Sequence, residues 1–537
     1  MIWEEKNYFY LNNWIIALTF HRRTAPEYKR FSIKLAKIAL YNPVELQYNY
    51  RGFWYNVLLS SCIDLAMGGA IKMSVLNLNE YTFMSINYEN SLDGIYKKEK
   101  GVFYTDVRLA TKIIRSLNIS PKAVILDPFC GVGSFIVAAR NLNFRNIYGA
   151  DIDKTAVNMC KKITGISDIK TLDTLSLSGK EILKKLNLKK ADYLVGNPPH
   201  ASMDKNITVY TNDYNFLRSV KDSGSNLFIA AIYRAFELTS SDGFISYIVP
   251  KNLLHVSSYS FLRRTILNEK RIISIVDIGT YFKDVRGEQI IITLQNKFVT
   301  GNKISLQVFK NNEFIETMKI KQNFFKDEIL LFSNKNDFNI YNKLKSAYRK
   351  FDDICTGYVG RGKSTNPNAV TGKDIKKFGF KNMSVPKKGN KVFIQNIYSA
   401  EAGIIASFAG ELEASQTVTV FTDGDEKMCH YITGILHSRL CNYYLLKFCY
   451  NSSRLTMHTD AKYLKKIPLV VEEKTFSQVI SLVKSLGKID YMSDMWFEML
   501  ESLNTLIYKI YNISESESEY IDCEMRNIQS KRWNNGK

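Results

Sequence analysis

The 537-residue sequence predicts a doubly wound α/β domain, set between a mostly helical N-terminal region and a C-terminal α+β region. Three observations predict it. From Gly101 onward, short apolar runs alternate with stretches of helical periodicity, the pattern of βαβ units closing a parallel sheet. Several of those runs end on acidic or glycine-rich positions, the places where open α/β sheets hold their ligands. Further on the composition turns basic, with 13 Lys or Arg against 3 Asp or Glu between residues 341 and 400.

Taken in order, residues 1–95 are rich in Tyr, Trp, Leu and Ile ("NNWIIALTF", "YRGFWYNVLLSSCIDLAMGG") and read as helical without a motif. Residues 96–300 carry the alternation: "KAVILDPFC" strand, "GSFIVAARNL" helix, "NIYGADI" strand, "KTAVNMCKKI" helix and "ADYLVGN" strand. "GFISYIVP", "IISIVDI" and "QIIITLQNK" follow as further strands, with "LRRTILNE" a surface helix. Residues 301–345 form a connector with a β excursion and a charged helix, and 346–537 a further domain whose end, "SDMWFEMLESLNTLIYKIYNIS", is an amphipathic helix.

Hydrophobic residues make up 45% of the chain, which suits a folded protein and not a disordered one. The net charge of +21 favours a polyanionic partner, because neutralised phosphates release condensed counterions; a lysine-rich coding bias would produce the same excess. The eight cysteines show no CxxC pair, so neither a disulfide scaffold nor a metal site is expected. "MIWEEKNYFY" lacks the basic start and apolar core of a signal peptide, and no apolar run is long enough to span a bilayer. A soluble, cytoplasmic, nucleoid-associated protein is expected.

"VILDPFCGVGSF" sets Asp127 and Pro128 at a strand end, then Gly131 and Gly133 before a helix, where glycines let a ligand approach the backbone. Ile136 occupies the third glycine position of the dinucleotide fingerprint, so that fingerprint is absent. Asp151, 24 positions after Asp127, can accept from both hydroxyls of a ribose; a helix N-cap is the other use of a carboxylate here, and Asp153 suits it better. Asp173 either accepts from an adenine amine or closes a turn. The strand "DYLVGN" then stops in Asn197, Pro198, Pro199 and His200.

Together these motifs resemble the Class I S-adenosylmethionine-dependent methyltransferases, and in particular the DNA adenine-N6 methyltransferases of the gamma arrangement. "GVFYTD", "DPFCGVGSF" and "GADID" are similar to that family's cofactor motifs, and "NPPH" to its catalytic tetrapeptide. The resemblance implies a seven-stranded Rossmann-like sheet and a site for S-adenosyl-L-methionine made by Thr105, Asp127, Pro128, Gly131, Gly133, Asp151, Ile152 and Asp173. Thr105 would take the cofactor carboxylate, although it could equally cap the helix of "DVRLATKII". Asn197 and the Pro198 carbonyl would accept the two N–H protons of a base amine, freeing its lone pair to attack a methyl group, while Pro199 stiffens the turn. His200 stands where the family carries Tyr or Phe and would stack on the base, backed by Phe282, which otherwise reads as a core residue.

Asn197 in the first position leans toward adenine N6. The basic stretch with Arg361, Lys363, Lys387 and Lys388 would lie on phosphates of a C-terminal target recognition domain, unless it is an ordinary solvated face. The implied partners are double-stranded DNA and a cognate restriction endonuclease, with the chain acting as a monomer on DNA, either as an orphan enzyme or as half of a restriction-modification pair. An RNA adenine-N6 methyltransferase and a methyltransferase-nuclease fusion are the alternatives; "EYK" at Glu27 is an ExK-like candidate for a nuclease among residues 1–95.

Overall fold

The computed structural model describes residues 78–92, 105–203, 214–282, 287–347, 349–351, 356–359 and 368–534. The expected N-terminal helical region, Arg361 and Lys363 therefore lie largely or wholly outside the described residues. Two compact units form, Met1–Ser91 and Leu92–Lys537. In the first, the described residues make one helix, Leu78–Ser91.

The second unit is built on a nine-stranded sheet in the order β3-β2-β1-β4-β5-β7-β6-β8-β9. The strands are β1 (Val124–Asp127), β2 (Asn146–Asp151), β3 (Ile169–Thr171), β4 (Ala191–Gly196), β5 (Thr239–Pro250), β6 (Arg271–Gly279), β7 (Gln289–Gln295), β8 (Lys303–Lys310) and β9 (Glu313–Lys321). β1 pairs parallel with both β2 and β4, β4 parallel with β5, and β7 inserts antiparallel between β5 and β6. β7 is buried along its full length, as expected of a strand covered on both faces.

The seven strands expected from the sequence all form, and the hairpin β8–β9 adds two at the β6 edge. The reason lies in β6: its outer edge is free to pair, and Ser274–Asp277 takes β8 in parallel register. Helices are set by local capping. Asp153 caps Lys154–Thr164 by accepting from the Thr155 and Ala156 amides, and Ser178 with Glu181 forms a capping box on Gly179–Leu186.

The C-terminal half holds a four-stranded antiparallel sheet (Thr356–Val359, Val418–Thr422, Lys391–Gln395 and Ala406–Gly410, in that spatial order) and the helices Glu426–His437, Arg439–Tyr444, Glu473–Leu486, Asp494–Ile510 and Glu515–Asn534. One hydrophobic core runs from Leu126 in β1 to Ile528 in the last helix. Among the described residues, no helix is long and apolar enough to cross a membrane.

Candidate active site

Parallel pairing puts the carboxyl ends of β1, β2 and β4 on one edge, so Asp127, Asp151 and Asn197 emerge side by side. Strand order reverses between β1 and β4, and a crevice opens at such a switch point. The loop after β1 is then folded by its glycines. Gly131 and Gly133 have φ of 51° and 98°, a region that favours glycine. A Cβ on Gly133 would meet the Cys160 Sγ at 2.3 Å, so the helix Ser134–Asn141 can start only from glycine.

Asp127 is 2% exposed and accepts from the Phe129 amide at 3.0 Å. Burial pushes its carboxyl well above the usual range, and the nearby Asp151 charge adds to that. Asp151 accepts from the Gly131 amide at 2.7 Å through Oδ2 and from the Asp153 amide at 2.9 Å through Oδ1. Burial raises its pKa too, against these bonds. Two carboxyls held above their ordinary range at the mouth of a crevice await a cationic or hydroxyl-rich ligand.

The competing uses are now separable. Asp153, not Asp151, caps its helix. Asp106, not Thr105, caps Val107–Arg115, accepting from the Arg108 amide at 2.7 Å. Thr105 is left buried, its hydroxyl without a partner among the described residues, which is the condition for receiving a ligand carboxylate. Ile152, at the end of β2, is 56% exposed and offers an apolar face to a planar ring. Asp173 is committed to its turn: Oδ1 accepts from the Leu175 and Ser176 amides at 3.1 Å, and Oδ2 from the Ser176 hydroxyl. The adjacent Thr174 hydroxyl donates to the Pro128 carbonyl at 3.1 Å, tying this turn to the β1 loop.

At the end of β4, Gly196 packs against Asp127, whose Oδ1 would lie 2.8 Å from a Cβ there. The Asn197 side-chain oxygen is buried. The His200 Nε2 lies 3.2 Å from the Ile248 carbonyl, which can only accept, so Nε2 carries the proton. Burial lowers the imidazole to about 4, hence the ring is neutral near pH 7, and it stands edge-on to Phe228 with centroids 6.2 Å apart. Phe282 follows β6 on the same sheet edge, half-buried against Tyr281 at 5.2 Å. It is not a core residue. Lys387 and Lys388 are exposed, in the loop before Lys391–Gln395.

Sequence reasoning missed two features. Tyr247 in β5 pairs with Gly196, and its buried hydroxyl has no partner; "ISYIVP" shows only a strand. Lys251, 3% exposed, joins Asp277 at 2.7 Å and Glu288 at 3.2 Å, and no spacing in the chain announces a triad drawn from three strand ends.

Comparison with known proteins agrees with this geometry. Residues 1–162 match the family model described as DNA methylase, and residues 145–283 that of the Eco57I restriction-modification methylase. The chain is 28% identical over 247 residues to the Type II methyltransferase M.VspI of Vibrio sp. (strain 343), covering 42% of this chain and 58% of that one. It is 26% identical over 199 residues to the modification methylase CviBIII of Paramecium bursaria Chlorella virus NC1A, covering 36% and 48%. The chain thus spans about half the length of the curated relatives it matches. In fold it is similar to the Type IIL restriction-modification enzyme MmeI in complex with DNA, with a TM-score of 0.51 and 11% identity over 88% of this chain and 84% of that one. The buried Thr105 hydroxyl, the glycine turn and the exposed Ile152 face all fit S-adenosyl-L-methionine. In its β1 loop and both family matches, the chain is similar over residues 1–283 to the DNA methyltransferases of restriction-modification systems.

Proposed function

We propose that the chain methylates the N6 amino group of an adenine turned out of double-stranded DNA at a defined sequence, in the gamma arrangement of motifs. The observation that carries this reading is the adjacency of β1 and β4: Leu126 pairs with Leu194, so the NPPH turn leaves the sheet beside Asp127. When bound, S-adenosyl-L-methionine supplies an electrophilic methyl group on a sulfonium. Thr105, Asp127, Gly131, Gly133, Asp151 and Ile152 would hold it.

The protein's own contribution is at the amine. An adenine N6 is a poor nucleophile while its lone pair is delocalised into the ring. Asn197 Oδ1 and the Pro198 carbonyl accept hydrogen bonds from its two N–H groups and favour a tetrahedral nitrogen, which gives up one proton to water once methylated, and Pro198 and Pro199 hold the turn so that no reorganisation is needed during the transfer. Neutral His200 and Phe282 sandwich the ring, repaying part of the few kcal/mol that unstacking costs. Residues 96–300 would carry cofactor and base, and 346–537, including Lys387 and Lys388, would select the site on DNA.

The test is methyl transfer to duplex DNA followed by nucleoside mass spectrometry, with modification-aware sequencing to find the site. N6-methyladenine in DNA is expected. N4-methylcytosine, or methylated RNA in place of DNA, overturns the assignment. The same sequencing run in cells also tests a cognate endonuclease, whose recognition sequence would be the one found protected.

A further inference from the structure

The segment Asn451–His458 is a tightly held loop with an exposed tip. Asn451 and Ser452 are consecutive residues in the left-handed region, at φ of 51° and 58°. Such a pair persists only where its surroundings impose it. Here they do: Asn451 is fully buried, donates to the Ile329 carbonyl at 2.9 Å and accepts from the Leu331 amide at 2.9 Å. At the far end, the Tyr450 hydroxyl donates to the His458 carbonyl at 2.8 Å, and Met457 pairs with Tyr398. Between these anchors Arg454, Leu455 and Thr456 stand exposed in succession, with Leu455 at 36%.

The tip is hung from the catalytic sheet. The Arg454 amide donates to the Glu288 Oε1 at 2.8 Å, and Glu288 is 7% exposed. Its main-chain carbonyl accepts from the Lys251 amide at 2.9 Å, and its other oxygen faces the Lys251 Nζ. The next residue, Gln289, pairs with Pro250 of β5 and Gly279 of β6. Two residues before Pro250, the Ile248 carbonyl receives His200. One buried carboxylate thus ties the loop amide, along with Lys251, to the same sheet edge that carries His200 and Phe282.

We propose that this tip is the insertion element of the enzyme: Leu455 enters the base stack where the extruded base has left it, while the Arg454 guanidinium lies on a flanking phosphate. The inference rests on the base-extruding reading above and adds which side chain fills the gap that the base leaves. Physically, an extruded base leaves two unstacked neighbours and an unpaired partner base, and an apolar wedge beside an arginine closes such a gap. A rigid loop suits the task, because a mobile one would lose in ordering what the wedge recovers.

The experiment is single-turnover methyl transfer by Leu455→Ala on two duplexes of the enzyme's own site, one with the target base paired and one with it opposite an abasic nucleotide. The expected result is a rate lowered roughly tenfold or more on the paired duplex, the scale of unstacking one base, and by less than about twofold on the abasic one. Leu455→Phe, which keeps an apolar wedge, should recover the paired rate. Equal losses on both duplexes, or no loss on either, overturn the wedge while leaving the methyltransferase reading intact. A wild-type chain that methylates neither duplex overturns that underlying reading instead.

Discussion

A Cβ placed on Gly196 would come within 2.8 Å of the Asp127 Oδ1 and 3.3 Å of the Tyr247 ring. The end of β4 and the acid at the end of β1 therefore touch, with room between them for a hydrogen atom and nothing larger. Gly196→Ala should displace the Asp127 carboxyl, cost about 1–3 kcal/mol as overpacking and weaken S-adenosyl-L-methionine binding together with it. Isothermal titration and a melting curve read both; wild-type affinity in the variant would separate the two strand ends.

Asp127 itself trades stability for binding. Its folded pKa is raised above the ordinary 3.8 by burial, so ionising it costs folded-state stability as pH rises from about 4 through the raised value. The cost is complete above that pH and absent at low pH. Asp127→Asn should therefore melt higher than wild type at pH 8 without cofactor, the advantage shrinking as pH falls, while losing cofactor affinity. A variant less stable at pH 8 would refute the sign.

Asn197→Ala removes an acceptor needed only while the nitrogen rehybridises. The methyl-transfer rate should fall on the order of 10²–10³-fold, with cofactor affinity nearly unchanged. A loss of half the rate would leave Asn197 without the proposed role.

Acid should unfold this protein through its imidazoles. Burial holds His200 and His430 near 4 and His255 and His437 near 3. Each binds fewer protons folded than unfolded, so stability is full above about 6.5 and drains away as pH falls toward 3–4, by up to about 1.4 kcal/mol per pH unit for each. His437 is the most instructive: Nδ1 donates to the Thr433 carbonyl at 2.9 Å and Nε2 accepts from the Ala406 amide at 3.2 Å, so a second proton breaks a bond between helix and sheet. Denaturant melts between pH 7 and 4.5 should show His437→Gln with a shallower slope, by about one proton, than wild type.

Lys387→Ala with Lys388→Ala tests the basic face. If both exposed ammonium groups lie on phosphates, the slope of log affinity for DNA against log salt should flatten by roughly 0.9 for each. An unchanged slope would move the DNA surface elsewhere.

Much of the site could be read before any fold was known, because short-range rules govern it. A glycine that must adopt positive φ, an acid at a strand end and a proline pair after an asparagine are local statements, and Gly131, Gly133, Asp151 and Asn197 all stand where those rules put them. Local rules also left ties that only geometry could break. Thr105 could cap its helix or take a ligand, and the structure gives the cap to Asp106, whose side chain reaches the Arg108 amide. Asp173 shows the same limit from the other side, since its turn bonds with Leu175 and Ser176 are invisible in the bare sequence.

What the sequence determined by itself was the alternation of strands and helices, the order of the motifs and the placing of the NPPH turn after a strand, since each depends on residues a few positions apart. Only the tertiary structure decided that Tyr247 lies against Gly196, that β8 and β9 complete the sheet, and that Glu288 holds Arg454 across 166 positions of chain. Such pairings are chosen by the packing of whole elements, with closure entropy growing only slowly with loop length, so no local pattern can encode which distant partner wins.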